Sequence, residues 1–274
     1  MSADAARKRR GSLLAGTGAA GGFFSGITGV GGGAIMVPLL TGILGMPQHR
    51  AHGTSLVVIA FAAVAGVAVY AWSTSIDPVL TAMLLVGSMG GAYIGARGAS
   101  RIPAMRLRQV FGIFLLLTAA RLLAFDDPEL PMTMPGWAVP LFGALVGLVG
   151  GIAAGALGIG GGAIFVPGMV ILLGTGQHEA QGVSLAVIVL TASVGALTHY
   201  RHGTVDVRAA GWIVPASLPA GAAGALVAAF LDAATLQRIF AAVILAVGVQ
   251  MVMTATLRIR REGRLQTPGG ADVP

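Results

Sequence analysis

Residues 29–38 read GVGGGAIMVP, and residues 158–167 read GIGGGAIFVP. Each decapeptide lies in the middle of a long apolar run. Glycine costs about 1 kcal/mol per residue against alanine in a helix interior, so a helix that enters either stretch breaks there. Pro38 and Pro167 suit the first turn of a helix that restarts beyond the break. The two stretches are offset by 129 residues, and the same offset aligns much of the chain without a gap. Gln48 and His49 fall on Gln177 and His178, Gly53 on Gly182, Ser55 and Leu56 on Ser184 and Leu185, Asp77 on Asp206, Ser88 on Ser217 and Phe111 on Phe240. The chain is a tandem duplication.

Composition sets the solvent of both copies. The chain is 55% hydrophobic and 10% charged, where a soluble chain carries about 25% charge. Its mean hydropathy is +0.86. Apolar runs of the length that crosses a bilayer recur throughout, which makes this an integral membrane protein built only of helices. The organisation reads as a basic N-terminus (1–11), a first membrane repeat (12–125), an acidic linker (126–136), a second repeat (137–257) and a basic tail (258–274). Cysteine is absent, so disulfides, thiolate metal sites and a cysteine nucleophile are excluded. The net charge of +7 comes from residues scattered over chain ends and short loops, without aromatic interleaving, and does not describe a nucleic-acid surface. Arg9 and Arg10 resemble an export signal, but the apolar segments continue to the end of the chain, so the basic N-terminus reads as a cytoplasmic anchor.

The first apolar run of each repeat decides the topology. Residues 12–44 make 33 residues, about 50 Å as one helix, against a hydrocarbon core of about 30 Å. Two forms compete: a broken helix that crosses once, and a hairpin whose arms return to the face they came from. The hairpin form places 15 of the 17 Lys and Arg residues on the cytoplasmic side, and the single crossing about 11. The expected fold is therefore two repeats in inverted orientation, each a glycine-broken helical hairpin followed by three transmembrane helices. Both termini are then cytoplasmic, in a multi-pass protein of the inner (cell) membrane.

In that arrangement the two glycine loops approach one another from opposite faces. Irregular backbone at membrane depth is tolerated only where it is buried in protein or lines a polar cavity. The restarting helices point their free N–H groups and positive dipole ends at the space between the loops, which is an arrangement that binds anions. Candidate binding residues are Gly29, Gly31, Gly32, Gly33 and Ala34 in the first copy, and Gly158, Gly160, Gly161, Gly162 and Ala163 in the second. The glycines that precede them, at 18, 22, 26 and at 147, 151, 155, have the spacing of close helix packing. GVGGGA also fits a loose nucleotide fingerprint, but no βαβ unit surrounds it.

The pattern GxGGGxxxVP, followed by AHGTSL (51–56) in one half and AQGVSL (180–185) in the other, resembles the sulfite exporter TauE/SafE family of membrane transporters. The resemblance covers nearly the whole chain. It implies transport of sulfur oxyanions or organosulfonates of the sulfite, thiosulfate or sulfoacetate type. Val183 stands where the first copy has Thr54, so a hydroxyl role there is not shared by the halves.

Ser55 and Ser184 begin helices, where they either line the path or bond back to the preceding turn. Gln48, His49, Gln177 and His178 sit at opposite membrane faces and are gate candidates; they cannot form one metal site. Tyr70, Trp72, Trp137, Tyr200 and Trp212 fall at segment ends, as an aromatic belt predicts. Every Asp and Glu lies in a loop or at a segment end, so proton relay through a buried acid is not expected. No nucleophile, base and orienter converge, so catalysis is not expected, nor is a metal or other cofactor. The expected partners are a small anion and the lipid bilayer, with a homodimer left open. An anion channel on the same scaffold and a membrane assembly protein without transport are the competing functions.

Overall fold

The computed structural model describes residues 3–98, 104–124, 135–157 and 161–266. These contain ten α-helices and no strand: α1 (Ala3–Thr28), α2 (Gly33–Gly42), α3 (Gln48–Ser73), α4 (Pro78–Gly98), α5 (Ala104–Ala124), α6 (Ala138–Leu157), α7 (Gly162–Leu173), α8 (Gln177–Arg201), α9 (Val207–Phe230) and α10 (Ala233–Gln266). The duplication is visible in their limits. The second to fifth helices of each half begin 129 residues apart, and α1 and α6 end 129 residues apart. The acidic linker up to residue 134, Gly158 and Gly160 lie outside the described residues.

Among the described residues seven helices are long and apolar enough to cross a membrane: α3, α4, α5, α6, α8, α9 and α10. Their ends carry the acids. Asp77 accepts from the Val79 and Leu80 N–H groups at 2.7 and 3.2 Å, Asp206 from Ala209 at 3.0 Å and Asp232 from Thr235 at 2.8 Å. Each satisfies orphan donors at the first turn of a helix, a cap of about 1 kcal/mol, which explains why carboxylates gather at segment ends.

α2 and α7 have only 10 and 12 residues, so at about 1.5 Å each they reach roughly half-way through a bilayer. Each folds back along the helix before it. A Cβ added at Gly21 of α1 would strike Met36 of α2, and one at Gly32 would lie 3.3 Å from the Ser25 Cβ. A Cβ at Gly150 of α6 would strike the Phe165 ring, and one at Gly168 of α7 would lie 2.6 Å from Val146. The breaks thus make hairpins in both halves.

The halves are interlocked. Substituting Gly18, Gly22 or Gly26 of α1 would drive a Cβ into the backbone of Ile213, Ser217 or Gly221 of α9. Gly147, Gly151 and Gly155 of α6 meet Leu84, Ser88 and Ala92 of α4 in the same way, and every one of these positions is shifted by 129. Small residues let the backbones touch, which is the main source of helix association where no hydrophobic drive exists. Repeat-equivalent helices also pack on one another, and they do so antiparallel. Leu56 lies against Gly195, Leu185 against Gly66 and Tyr70 against Gly182, so α3 and α8 run in opposite directions. In α5 and α10, the Gln109 side chain donates to the Thr256 hydroxyl at 3.5 Å and the Gln237 side chain to the Leu122 carbonyl at 2.9 Å.

Tyr70 departs from the aromatic belt. Trp72, Trp137, Tyr200 and Trp212 are exposed on the outside of the bundle, but Tyr70 is fully buried between α1 and α8. Its hydroxyl has polar partners there, and a hydrogen-bonded phenol is stable inside a bundle where a bare one is not.

Candidate functional site

The first glycine loop runs from the end of α1 to the start of α2. Gly29, Gly31 and Gly32 have φ of 68°, 90° and 68°, a left-handed path that residues with a Cβ rarely take. This path carries the loop into the space between α3 and α8. Gly31 lies beside Ile59 and Ile188, close to the middle of both helices, so the loop reaches the centre of the bundle. Ser184 of α8 donates to the Gly29 carbonyl at 2.7 Å, and the Thr28 hydroxyl accepts from the Val30 N–H at 3.3 Å. The N–H groups of Gly31, Gly32 and Gly33 have no hydrogen-bond partner among the described residues. Ala34 follows in the first turn of α2.

The start of α7 meets the first loop directly. A Cβ added to Gly162, the first residue of α7, would lie 2.7 Å from Val30 Cα and 2.8 Å from the Gly29 and Val30 carbonyl oxygens. The starts of α2 and α7 are therefore brought together at the centre of the protein. A cavity of about 20 Å³ lies at this junction, lined by Thr28, Val30 and Gly32 from the first loop, Ala163 from α7, and Val243 and Val247 from α10. That is room for about one water. Nothing larger fits this space as it stands. The lining carries no charged side chain and is mostly apolar.

Gly161 caps α7 with φ −82°, whereas its equivalent Gly32 caps α2 with φ +68°. Ser55 bonds back to the His52 carbonyl at 2.9 Å within its own helix, whereas Ser184 reaches across to the opposite loop. Gln48 and His49 are exposed at the start of α3. Gln177 is buried, and the His178 ring nitrogen Nε2 donates to the carbonyls of Ala228 and Leu231 at 3.0 and 3.1 Å, tying α8 to the end of α9. Repeat-equivalent positions thus have different surroundings in the two halves. Sequence reading passed over Ser25 and Gln181, and placed Tyr70 in the aromatic belt. Gln181 stood in view inside AQGVSL, as a polar residue in an apolar run.

The sequence model of the sulfite exporter TauE/SafE family matches residues 2–122 and 143–271. The chain belongs to this family. Its TauE/SafE character is spread over both halves, so the glycine loops and the helices that hold them all lie in family sequence. Among relatives, a probable membrane transporter protein of Xylella fastidiosa is 29% identical over 197 residues, which are 70% of this chain and 74% of that one. The probable membrane transporter protein YunE of Bacillus subtilis is 27% identical over 221 residues, covering 72% and 78%. A probable membrane transporter protein of Methanocaldococcus jannaschii is 28% identical over 191 residues, covering 68% and 70%. No solved structure matches. This TauE/SafE protein is accordingly a multi-pass membrane protein of a transporter family.

Proposed function

We propose that the protein carries a small oxyanion, of the sulfur oxyanion or organosulfonate type, across the inner membrane, and that it holds the anion between the two glycine loops. The observation that carries this reading is the meeting of Gly162 with Val30 and Gly29, which brings the starts of α2 and α7 to one central point beside the N–H groups of Gly31, Gly32 and Gly33, which have no partner among the described residues. Each helix N-terminus has the equivalent of about half a positive charge, so the pair offers about one, enough for a small anion and weak enough to release it. The test is uptake by proteoliposomes of labelled sulfite and methanesulfonate, with glutamate as the carboxylate control. Saturable uptake of the sulfur compounds is expected. Flux that rises linearly without saturation would mark a channel, and none for any anion would end the transport reading.

The antiparallel packing of α3 on α8 supports an inverted arrangement in the membrane, with the N-terminus, the start of α3 and the C-terminus cytoplasmic. Pro47 and Gly176 are repeat-equivalent and both exposed, and the chain has no cysteine of its own. In intact cells an impermeant thiol reagent is expected to label Gly176→Cys and to spare Pro47→Cys until the membrane is broken. Equal labelling of both from outside would rule out the inverted arrangement.

A further inference from the structure

Three polar residues lie along one face of α8 at positions i, i+4 and i+7: Gln177, Gln181 and Ser184. All are at most 3% exposed. Neither end of the Gln177 amide has a partner among the described residues, and the Gln181 amide is held at one end only, by Tyr70. Orphaned amides inside a protein cost free energy unless something else bonds to them, and native structures rarely keep them without a reason. Here they form a line. It starts where α8 begins at one face of the bundle and ends at Ser184, whose hydroxyl holds the Gly29 carbonyl of the glycine loop. A Cβ at Gly29 would lie 2.8 Å from Gln181 Cα, so the line reaches the loop itself.

The repeat places a second such line in α3. Gln48, His52 and Ser55 are the equivalents of Gln177, Gln181 and Ser184, and the antiparallel packing of α3 and α8 makes the two lines start at opposite faces. Their states differ. Gln48 is exposed, whereas Gln177 is 3% exposed. Tyr70 stands between Gln181 and α1 just ahead of the loop: its hydroxyl donates to the Gly26 carbonyl at 3.1 Å and to the Gln181 amide oxygen Oε1.

We infer that these two polar lines are the two half-paths of the anion, and that this structure holds the α8 half-path shut with Tyr70 as its latch while the α3 half-path begins open. Neutral amides and a hydroxyl, the groups of the α8 line, suit that task. They hydrogen-bond an anion or its waters along the way without the charge that would trap it. The inference rests on the transport reading but concerns different residues, so each can fail without the other.

The test uses single-cysteine variants in intact cells and a small anionic thiosulfonate reagent, with methanesulfonate as the competing ligand because it does not attack the reagent as sulfite does. Gly176→Cys marks the exposed entrance and labels fast. Leu190→Cys, on the lipid-facing side of α8, does not label. Gln181→Cys labels slowly and is protected progressively by methanesulfonate. Gln177→Cys behaves likewise, serves if Gln181→Cys fails to insert, and, with Gln181 intact, labels faster when Tyr70→Phe removes the latch hydroxyl. In proteoliposomes Gln181→Leu lowers methanesulfonate uptake about tenfold or more. Absence of labelling at both glutamines, labelling indifferent to methanesulfonate, or wild-type uptake by Gln181→Leu would overturn the half-path. Protected labelling in a protein that moves no anion would leave the polar line as a binding path and remove the transport reading instead.

Discussion

Gly162→Val is expected to abolish transport while the protein still inserts. The position its Cβ would take is already filled by main chain, Val30 Cα at 2.7 Å and the Gly29 carbonyl at 2.8 Å, and main chain cannot swing aside as a side chain can. Gly162 does not have the positive φ that would add strain on substitution, so the effect is one of space alone. Overpacking of this kind costs about 1–3 kcal/mol, and 1.4 kcal/mol is already tenfold in an equilibrium. Either the first loop is pushed away from α7 or α7 itself shifts, and in both cases the proposed site between them is lost. Gly211→Val is the control, because nothing lies within 4 Å of the added carbon. Uptake should fall about tenfold or more for Gly162→Val and stay near wild type for Gly211→Val. Normal uptake by Gly162→Val would reduce the loop junction to a packing feature. Gly32→Leu should be as damaging, with backbone strain added at φ +68°.

The second large effect expected is on the driving force. Asp77, Asp206, Asp232 and Glu179 sit in caps or first turns of helices, so among these residues no carboxylate is placed to take a proton through the middle of the bundle. With the cell interior negative, one negative charge leaving gains about 2.3 kcal/mol per 100 mV, an equilibrium bias of nearly 50-fold. We hypothesise electrogenic export of the anion without an obligatory proton. Proteoliposomes loaded with methanesulfonate and clamped by potassium and valinomycin, at equal pH on both sides, should empty further as the inside is made more negative. A flux that ignores the clamp and follows an imposed pH gradient would overturn this, and would direct attention to His52 and His199.

Much of the architecture is a local property of the chain and is therefore legible in it. Apolar runs and scarce charge report the bilayer, since they need no knowledge of neighbours. The 129-residue offset reports the duplication, and consecutive glycines report where helices break. Gly18, Gly22 and Gly26 were legible as packing residues from spacing alone. The sequence does not say what they pack against, because that choice is made between helices far apart in the chain. In the fold, α1 packs on α9 of the other half.

The site divides in the same way. Both glycine loops and their helix starts were evident from residue type, because glycine density and a following proline constrain the backbone wherever the segment lies. Tertiary structure alone decided that Val30 touches Gly162, that Tyr70 leaves the aromatic belt for Gln181, and that Ser184 holds Gly29 while Ser55 turns back to its own helix. It also decided that Gln48 is exposed and Gln177 buried. Sequence equivalence under the repeat assigns both members of a pair the same local chemistry. A packed bundle in one conformation gives them different neighbours, because burial and hydrogen bonding depend on the arrangement of all ten helices and not on the segment that carries the residue.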